Sequence, residues 1–197
     1  MTKIAVIVGT TRRGRQTAKQ ALWVKNALET REGVDVTTLD LKDYELPFFE
    51  EPVSPRYNPE RTPEGVVKKW LDALTEADGY IVVTPEYNHS IPGVLKNALD
   101  YVDFQMNRKP SGIVSHGTVG GARAAMHLKE ILSESKTLPV PEFVALAHMS
   151  DVIDEQGNLA EDVKANPYGP QGALDGMIDS LLWIADAFVD KRNSQRN

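Results

Sequence analysis

A chain of 197 residues is long enough to bury one substantial core, and its 41% hydrophobic and 25% charged residues are ordinary globular values that exclude disordered and fibrous classes. Asp and Glu number 28 against 22 Lys and Arg, a formal net charge of -6, which excludes wholesale binding to nucleic acid or to an anionic membrane and makes any anion site local. Without cysteine there is no disulfide framework or thiolate chemistry; the start MTKIAVIVGT enters a strand with no signal-peptide run, no apolar stretch nears the ~20 residues of a membrane span, and the expected compartment is the cytoplasm.

Short apolar runs alternate with longer helical patterns along the chain. Ile4 to Val8 reads as a buried strand. From Gln16 to Thr30 the apolar residues Ala18, Ala21, Leu22 and Leu28 suit a helix, with Gly33 as a stop. Val34 to Leu39 makes a second strand. Thr62 then predicts a helix cap, with Pro63 at the first helical position and a stripe of Val67, Trp70, Leu71 and Leu74 ending at Asp78 and Gly79. Tyr80 to Thr84 is a third strand, followed by a helix from about Pro92 to Val102 with Ser90 as its expected cap. Gly112 to Ser115 is a fourth strand, Ala122 to Leu132 a helix and Phe143 to Leu146 a fifth strand. Leu174 to Val189 is a last amphipathic helix.

Five strands, each separated by a helix or a comparable span, predict an α/β fold with a doubly wound parallel sheet and helices on both faces. One domain over residues 1–190 is expected, with residues 191–197, KRNSQRN, as a polar tail that frays. The connections at 40–61 and 147–170 exceed the usual length and are candidates for lids or subunit contacts, with plain surface excursions weighing equally.

Three loops carry polar chemistry, and each leaves the carboxyl end of a predicted strand. The first, GTTRRGRQT at 9–17, sets hydroxyls, two glycines and three arginines before a helix N-terminus, where free N–H groups and the dipole favour phosphate. It matches neither G-x-G-x-x-G nor G-x-x-x-x-G-K-[ST], so a dinucleotide turn and a P-loop are not expected. The second, at 85–90, holds Glu86, Tyr87, Asn88 and His89 between Pro85 and Pro92, a rigid loop able to cover a flat heteroaromatic ring. Ordinary packing is as good a reading of Tyr87 alone. Glu86 with His89 is too small a set for a metal, and none is expected. The third, SHGTVGGARA at 115–124, frees its backbone at Gly117, Gly120 and Gly121, for a ligand edge or simply for a tight turn. With strand order 2-1-3-4-5 the first two loops flank one crevice.

Together GTTRRGR, PEYNHSIPGVLKNALDYV and SHGTVGGARA resemble the NADPH-dependent FMN reductase family of flavodoxin-like proteins, over residues 3 to 146. The middle motif is the most specific. The resemblance implies a flavodoxin-like five-stranded sheet and an FMN-dependent NAD(P)H oxidoreductase. NADPH or NADH is the hydride donor, and a flavin, quinone, azo compound or similar small molecule is the electron acceptor in a ping-pong cycle. It implies Thr10, Arg12 and Arg15 as phosphate-loop residues with Thr11, Gln16 and Thr17 as helpers. Pro85, Glu86, Tyr87 and Asn88 become the flavin-facing loop, and Ser115, His116, Gly117, Gly120 and Gly121 the loop along the far ring edge. No side chain is assigned as a catalytic acid or base. Arg15 and Thr17 stand where several members carry Ser and Asn, and which of Arg12, Arg13 and Arg15 holds the phosphate stays open. Val94, Leu95, Ala98, Leu99, Tyr101 and Val102 are more apolar residues than one buried stripe needs, so the 92–102 helix and Tyr44 to Phe49 are expected near the interface of a homodimer or homotetramer, as the resemblance also implies. Two competitors remain. A flavodoxin-type electron carrier without NAD(P)H activity would have an uncharged phosphate loop, and the three arginines count against it; a flavin-free member kept for regulatory contacts would be colourless.

Overall fold

The apolar run after Lys3 forms β1 (Thr2–Val8), buried at every residue but Lys3, as a strand covered on both faces must be. The computed structural model describes residues 1–148 and 152–194. β3 (Gly79–Pro85) is buried throughout, whereas β2 (Val34–Asp40) exposes several of its polar residues at the sheet edge. With β4 (Pro110–Gly117) these strands form a parallel sheet in the order β2-β1-β3-β4. The fifth position, beside β4, is shared by β5 (Leu138–Pro139) and β6 (Val144–Ala147). The expected fifth strand is therefore β6, one residue later, with a short piece before it. Pro139 and Pro141 bring no N–H to the ladder, and only Val140 N, donating to Ser111 O at 2.8 Å, bridges the gap.

Alternate strand residues face opposite helix layers. Ile4, Val6, Val8, Ile81 and Val83 pack on α1 (Thr17–Glu29) and α6 (Pro170–Ser194). Ala5, Ile7, Tyr80 and Val82 pack on α2 (Gly65–Glu76), α3 (Gly93–Asp100) and α4 (Ala122–Glu134). A single turn, α5 (Glu161–Lys164), lies in the last connection.

Two local expectations, both helix caps, are corrected, and two connecting segments take definite form. Thr62 does not cap α2, which begins at Gly65 after Glu64 with no side-chain cap. The segment before it is fixed instead by buried Arg61, paired with Glu51 at 2.7 Å and Asp103 at 3.0 Å. Nor does Ser90 cap α3: the helix begins at Gly93 after Pro92, which is extended at ψ 141°, and the Ser90 hydroxyl meets His127 Nδ1 at 3.1 Å. The 40–61 connection carries two 3-10 turns, Leu41–Asp43 and Pro55–Tyr57, and packs Tyr44 on Trp70 and Phe49 on Tyr101, each pair with ring centres 5.2 Å apart. It is a strap. The polar tail starts inside α6, where Arg192 pairs with Asp78 and donates to Arg108 O at 3.2 Å; residues 195–197 lie outside the described residues.

Candidate functional site

All three polar loops leave the same end of the sheet, and direct hydrogen bonds join them. Gly9 turns the chain out of β1. Its N–H donates to Val83 O at 2.8 Å, and a Cβ there would stand 2.9 Å from that oxygen and 3.0 Å from Leu95 Cδ2. Thr10 is buried, and its hydroxyl donates to the Tyr87 hydroxyl at 3.3 Å while accepting from Arg12 N at 3.3 Å. The Arg12 guanidinium lies over the Tyr87 ring, 5.5 Å from its centre.

Arg15 behaves differently from its neighbours. Its guanidinium pairs with Asp40 at the end of β2 and donates to the Thr10 carbonyl, with only 11% of the side chain exposed. Arg15 thus clasps the loop to β2, while Thr11, Arg12 and Arg13 face solvent. Gln16 precedes α1 without a side-chain cap and the first turn holds no acid, so the α1 N-terminus offers N–H groups and positive dipole to an anion. This donor set fits a phosphate monoester.

In the second loop, Pro85 closes β3 and Glu86 N donates to His116 O at 2.8 Å. Tyr87 and Ser90 exchange backbone hydrogen bonds of 2.9 and 3.0 Å around Asn88 and His89 at φ +49° and +68°, a type I′ turn. The Glu86 carboxylate turns away from the crevice to α4, accepting from Arg123 Nε at 2.8 Å and Arg123 N at 3.1 Å. Burial pushes its pKa up, but the hydrogen bonds from Arg123 and the Ala124 N–H outweigh this and hold it below the ordinary carboxylate range. Only the backbone of Glu86 remains for a ligand.

In the third loop, Ser115 is buried and donates to Gly120 O at 2.8 Å. Gly121, at φ +74°, sits so close beneath His116 that a Cβ would stand 2.8 Å from its N and 2.9 Å from its O. His116 Nε2 and Thr17 Oγ1 lie 2.8 Å apart, joining this loop to α1. Burial lowers the His116 pKa to about 4, so the ring is neutral at neutral pH. Gly117 lines a cavity of about 230 Å³ with Gln16, Gln20, Thr118, Leu146 and His148.

The structure therefore brings together Thr10, Arg12, Tyr87, Thr17 and His116, and it engages the largely enclosed side chains of Arg15 and Glu86 with protein partners. Sequence reasoning missed Asp40, Arg123, Gln20 and His148. Gln20 left a signal: it is a polar residue three positions after Thr17, on the buried side of α1. A larger depression, about 630 Å³, lies at the other end of the strands around Lys109, whose Nζ donates to Leu74 O at 3.1 Å and Thr75 O at 2.8 Å and so caps α2.

Residues 2–151 match the family described as NADPH-dependent FMN reductase. The chain is 36% identical over 171 residues to an NAD(P)H-dependent FMN reductase of Nectria sp, covering 82% of this chain and 85% of that one. It is 32% identical over 174 residues to a 2-hydroxy-1,4-benzoquinone reductase of Burkholderia sp, covering 81% and 86%. Among solved structures it resembles FerB, a flavoenzyme NAD(P)H:(acceptor) oxidoreductase from Paracoccus denitrificans, at 25% identity with a TM-score of 0.70 over 92% of this chain and 97% of that one. The chain belongs to the NADPH-dependent FMN reductase family, and it is an oxidoreductase that works with FMN and NAD(P)H.

Proposed function

We propose that the three carboxyl-end loops form one FMN site with a single open face, at which NAD(P)H and then a flat acceptor, a quinone, flavin or azo compound, take turns. The observation that carries this reading is the chain of contacts from Thr10 to Tyr87 and from Thr17 to His116, which ties the loops into one rim. FMN, when bound, supplies the hydride chemistry. The protein binds, orients and polarises. N–H groups at the start of α1, the Thr11 hydroxyl and the exposed Arg12 and Arg13 hold the phosphate. Tyr87 and Asn88 form the wall that orients donor and acceptor, and the backbone N–H groups of the 117–121 loop stabilise negative charge at the ring edge. Arg15 holds the loop in place through Asp40 and Thr10. His116, bonded to Thr17, is assigned to joining loops, and no side chain is assigned as general acid or base. The quinone and flavin acceptors rest on the names of the relatives. The reading takes residues 1–190 as one functional domain in a homodimer or homotetramer, and it places the enzyme in the cytoplasm, where NAD(P)H is supplied.

The decisive experiment is an anaerobic addition of NADPH, and separately NADH, to the FMN-loaded protein, followed by steady-state rates with a quinone. Loss of visible flavin absorbance with at least one donor is expected, with parallel double-reciprocal lines. An unbleached flavin with both donors overturns the reductase reading in favour of the electron carrier. Replacing Arg12 by Ala should weaken FMN by about 1.5–3 kcal/mol, the usual worth of a hydrogen bond to a charged group, and should leave riboflavin affinity nearly unchanged.

A further inference from the structure

The turn after β3 and the glycine loop after β4 lie side by side, and one residue of the turn reaches both ends of the loop. Glu86 N donates to His116 O at 2.8 Å, just before the loop; the Glu86 carboxylate accepts from Arg123 N at 3.1 Å and Ala124 N at 3.5 Å, just after it. Helix α4 has no cap of its own. It starts at Ala122 after Gly121, which is left-handed at φ +74°, with no side-chain cap and no acid in the first turn. Glu86 supplies the missing negative group from the β3 side, and the Arg123 guanidinium folds back to pair with it.

The Glu86 side chain is 7% exposed against 48% for Arg123, so the carboxylate is enclosed while its partner stays at the surface. One turn further along α4, His127 Nδ1 meets the Ser90 hydroxyl at 3.1 Å. The 86–90 turn is thus tied to α4 at its first and last residues, with Tyr87, Asn88 and His89 held between. Glycines at 117, 120 and 121 leave the facing loop a soft backbone. Donors on a soft backbone stabilise charge poorly, because they must be reoriented each time the charge appears; donors fixed at both ends of their loop avoid that cost.

We propose that Glu86 is a positioning residue: by capping α4 from the β3 loop it locks the 117–121 backbone, so that its N–H groups are pre-organised for the negative charge that FMN gains on reduction. The proposal rests on the FMN site described above and adds to it the device that holds the ring-edge donors. The field of the carboxylate itself acts in the opposite sense, since a negative charge on the flavin-facing loop disfavours reduction. Positioning and field therefore predict shifts of opposite sign when the charge is removed.

The test is the midpoint potential of the FMN-loaded protein, equilibrated with a reference dye, beside FMN titrations of flavin-free protein. Glu86→Gln removes the charge and one of the two acceptor oxygens; Glu86→Asp keeps the charge and stops one methylene short of α4. Both should weaken reduced FMN at least tenfold more than oxidised FMN, lowering the two-electron potential by about 30 mV or more. Arg123→Lys keeps the charge at a half-exposed position but loses the fork that grips the carboxylate, and its differential loss should be two- to fourfold, about 9–18 mV. A potential raised in Glu86→Gln would assign the effect to the field and overturn the proposal. Equal losses of oxidised and reduced FMN would make Glu86 a packing residue and overturn it too. Should both Glu86 variants fail to fold, Arg123→Lys decides alone, and an unchanged potential there overturns the proposal. A wild-type protein that takes up no FMN would bring down the cofactor site and this proposal with it, a result distinguishable from the others.

Discussion

The imidazole of His116 titrates far from its ordinary range because burial penalises its charged form, lowering its pKa from 6.5 to about 4. The unfolded chain takes up this proton near pH 6.5 and the folded chain only near pH 4. Stability from the neutral ring is therefore complete above about pH 6.5 and is lost as pH falls toward 4. At 1.36 kcal/mol per pKa unit the loss reaches ~3 kcal/mol at the lower end. His116→Gln keeps a partner for the Thr17 hydroxyl and removes the titration. Urea unfolding at pH 7 and pH 4.5 should show wild type losing roughly 2–3 kcal/mol more than the variant; parallel losses would assign the acid sensitivity to other groups. At this scale the sequence revealed residue types better than partners. The hydroxyls, arginines and glycines of the loops were legible, but the partner of Arg15 was not. Asp40 lies 25 positions away, and it comes within reach because Val8 and Asp40 pair across β1 and β2. The partner of the Glu86 carboxylate was equally out of view, since Arg123 comes from the next strand–helix unit.

Between β3 and α3 the chain makes a tight two-residue turn. The prolines at 85 and 92 pointed to a rigid loop, but the rigidity comes from the Tyr87–Ser90 turn, whose two central residues are both left-handed. Asn88 suits that conformation and His89 does so less well, so the sequence lacked the Asn-Gly pair that marks such a turn. A left-handed backbone costs an L-residue roughly 1–2 kcal/mol, and glycine avoids this at the expense of about 0.5–1 kcal/mol of chain entropy. His89→Gly should therefore match wild type or gain up to about 1 kcal/mol, whereas His89→Val, β-branched, should lose about 1–2 kcal/mol and weaken FMN as Tyr87 moves. Chemical denaturation of the two variants checks this, and a valine variant as stable as the glycine one would show that the turn is not held in this form. Long periodic elements were legible for the same physical reason that this turn was not. α1 and the central strands declare themselves by burial repeated over many residues, while a cap or a turn depends on two or three. Thr62 and Ser90 both had the chemistry of caps, and tertiary ties at Arg61 and Pro92 decided otherwise.

Across the whole molecule, the parallel sheet followed from the alternation of apolar runs and helices, because parallel strands need crossovers, whereas the order 2-1-3-4-5 that brings the loops together is the one the flavodoxin-like resemblance implies. Subunit contact was argued from a surplus of apolar residues on the 92–102 helix, and there the structure changes the ground. Leu95, Ala98, Leu99, Tyr101 and Val102 are buried in their own chain and only Val94 of that set is half-buried, so α3 has little surplus to offer. Exposed apolar groups include Phe48, at 88%, on the strap, Val119 in the glycine loop and Met126 on α4. Phe48 is presented rigidly, since Asn97 Nδ2 donates to Pro47 O at 2.7 Å and Phe49 N donates to Asn97 Oδ1 at 2.8 Å. An aromatic ring fixed in water at the edge of a strap has the character of an interface anchor, because little entropy is left to lose when a partner covers it. A second exposed aromatic, Trp183, projects from α6 in the opposite helix layer and suits a separate contact. Light scattering at micromolar concentration should give a mass of two or four chains for wild type. Phe48→Asp combined with Met126→Lys should remove the strap-side contact while circular dichroism stays native. Trp183→Ser should leave a dimer intact and reduce a tetramer to dimers. Because each separated chain keeps its net charge of -6 or close to it, the products should stay in solution and be countable. A wild-type mass of one chain would end the interface reading and leave Phe48 to line the approach of the acceptor.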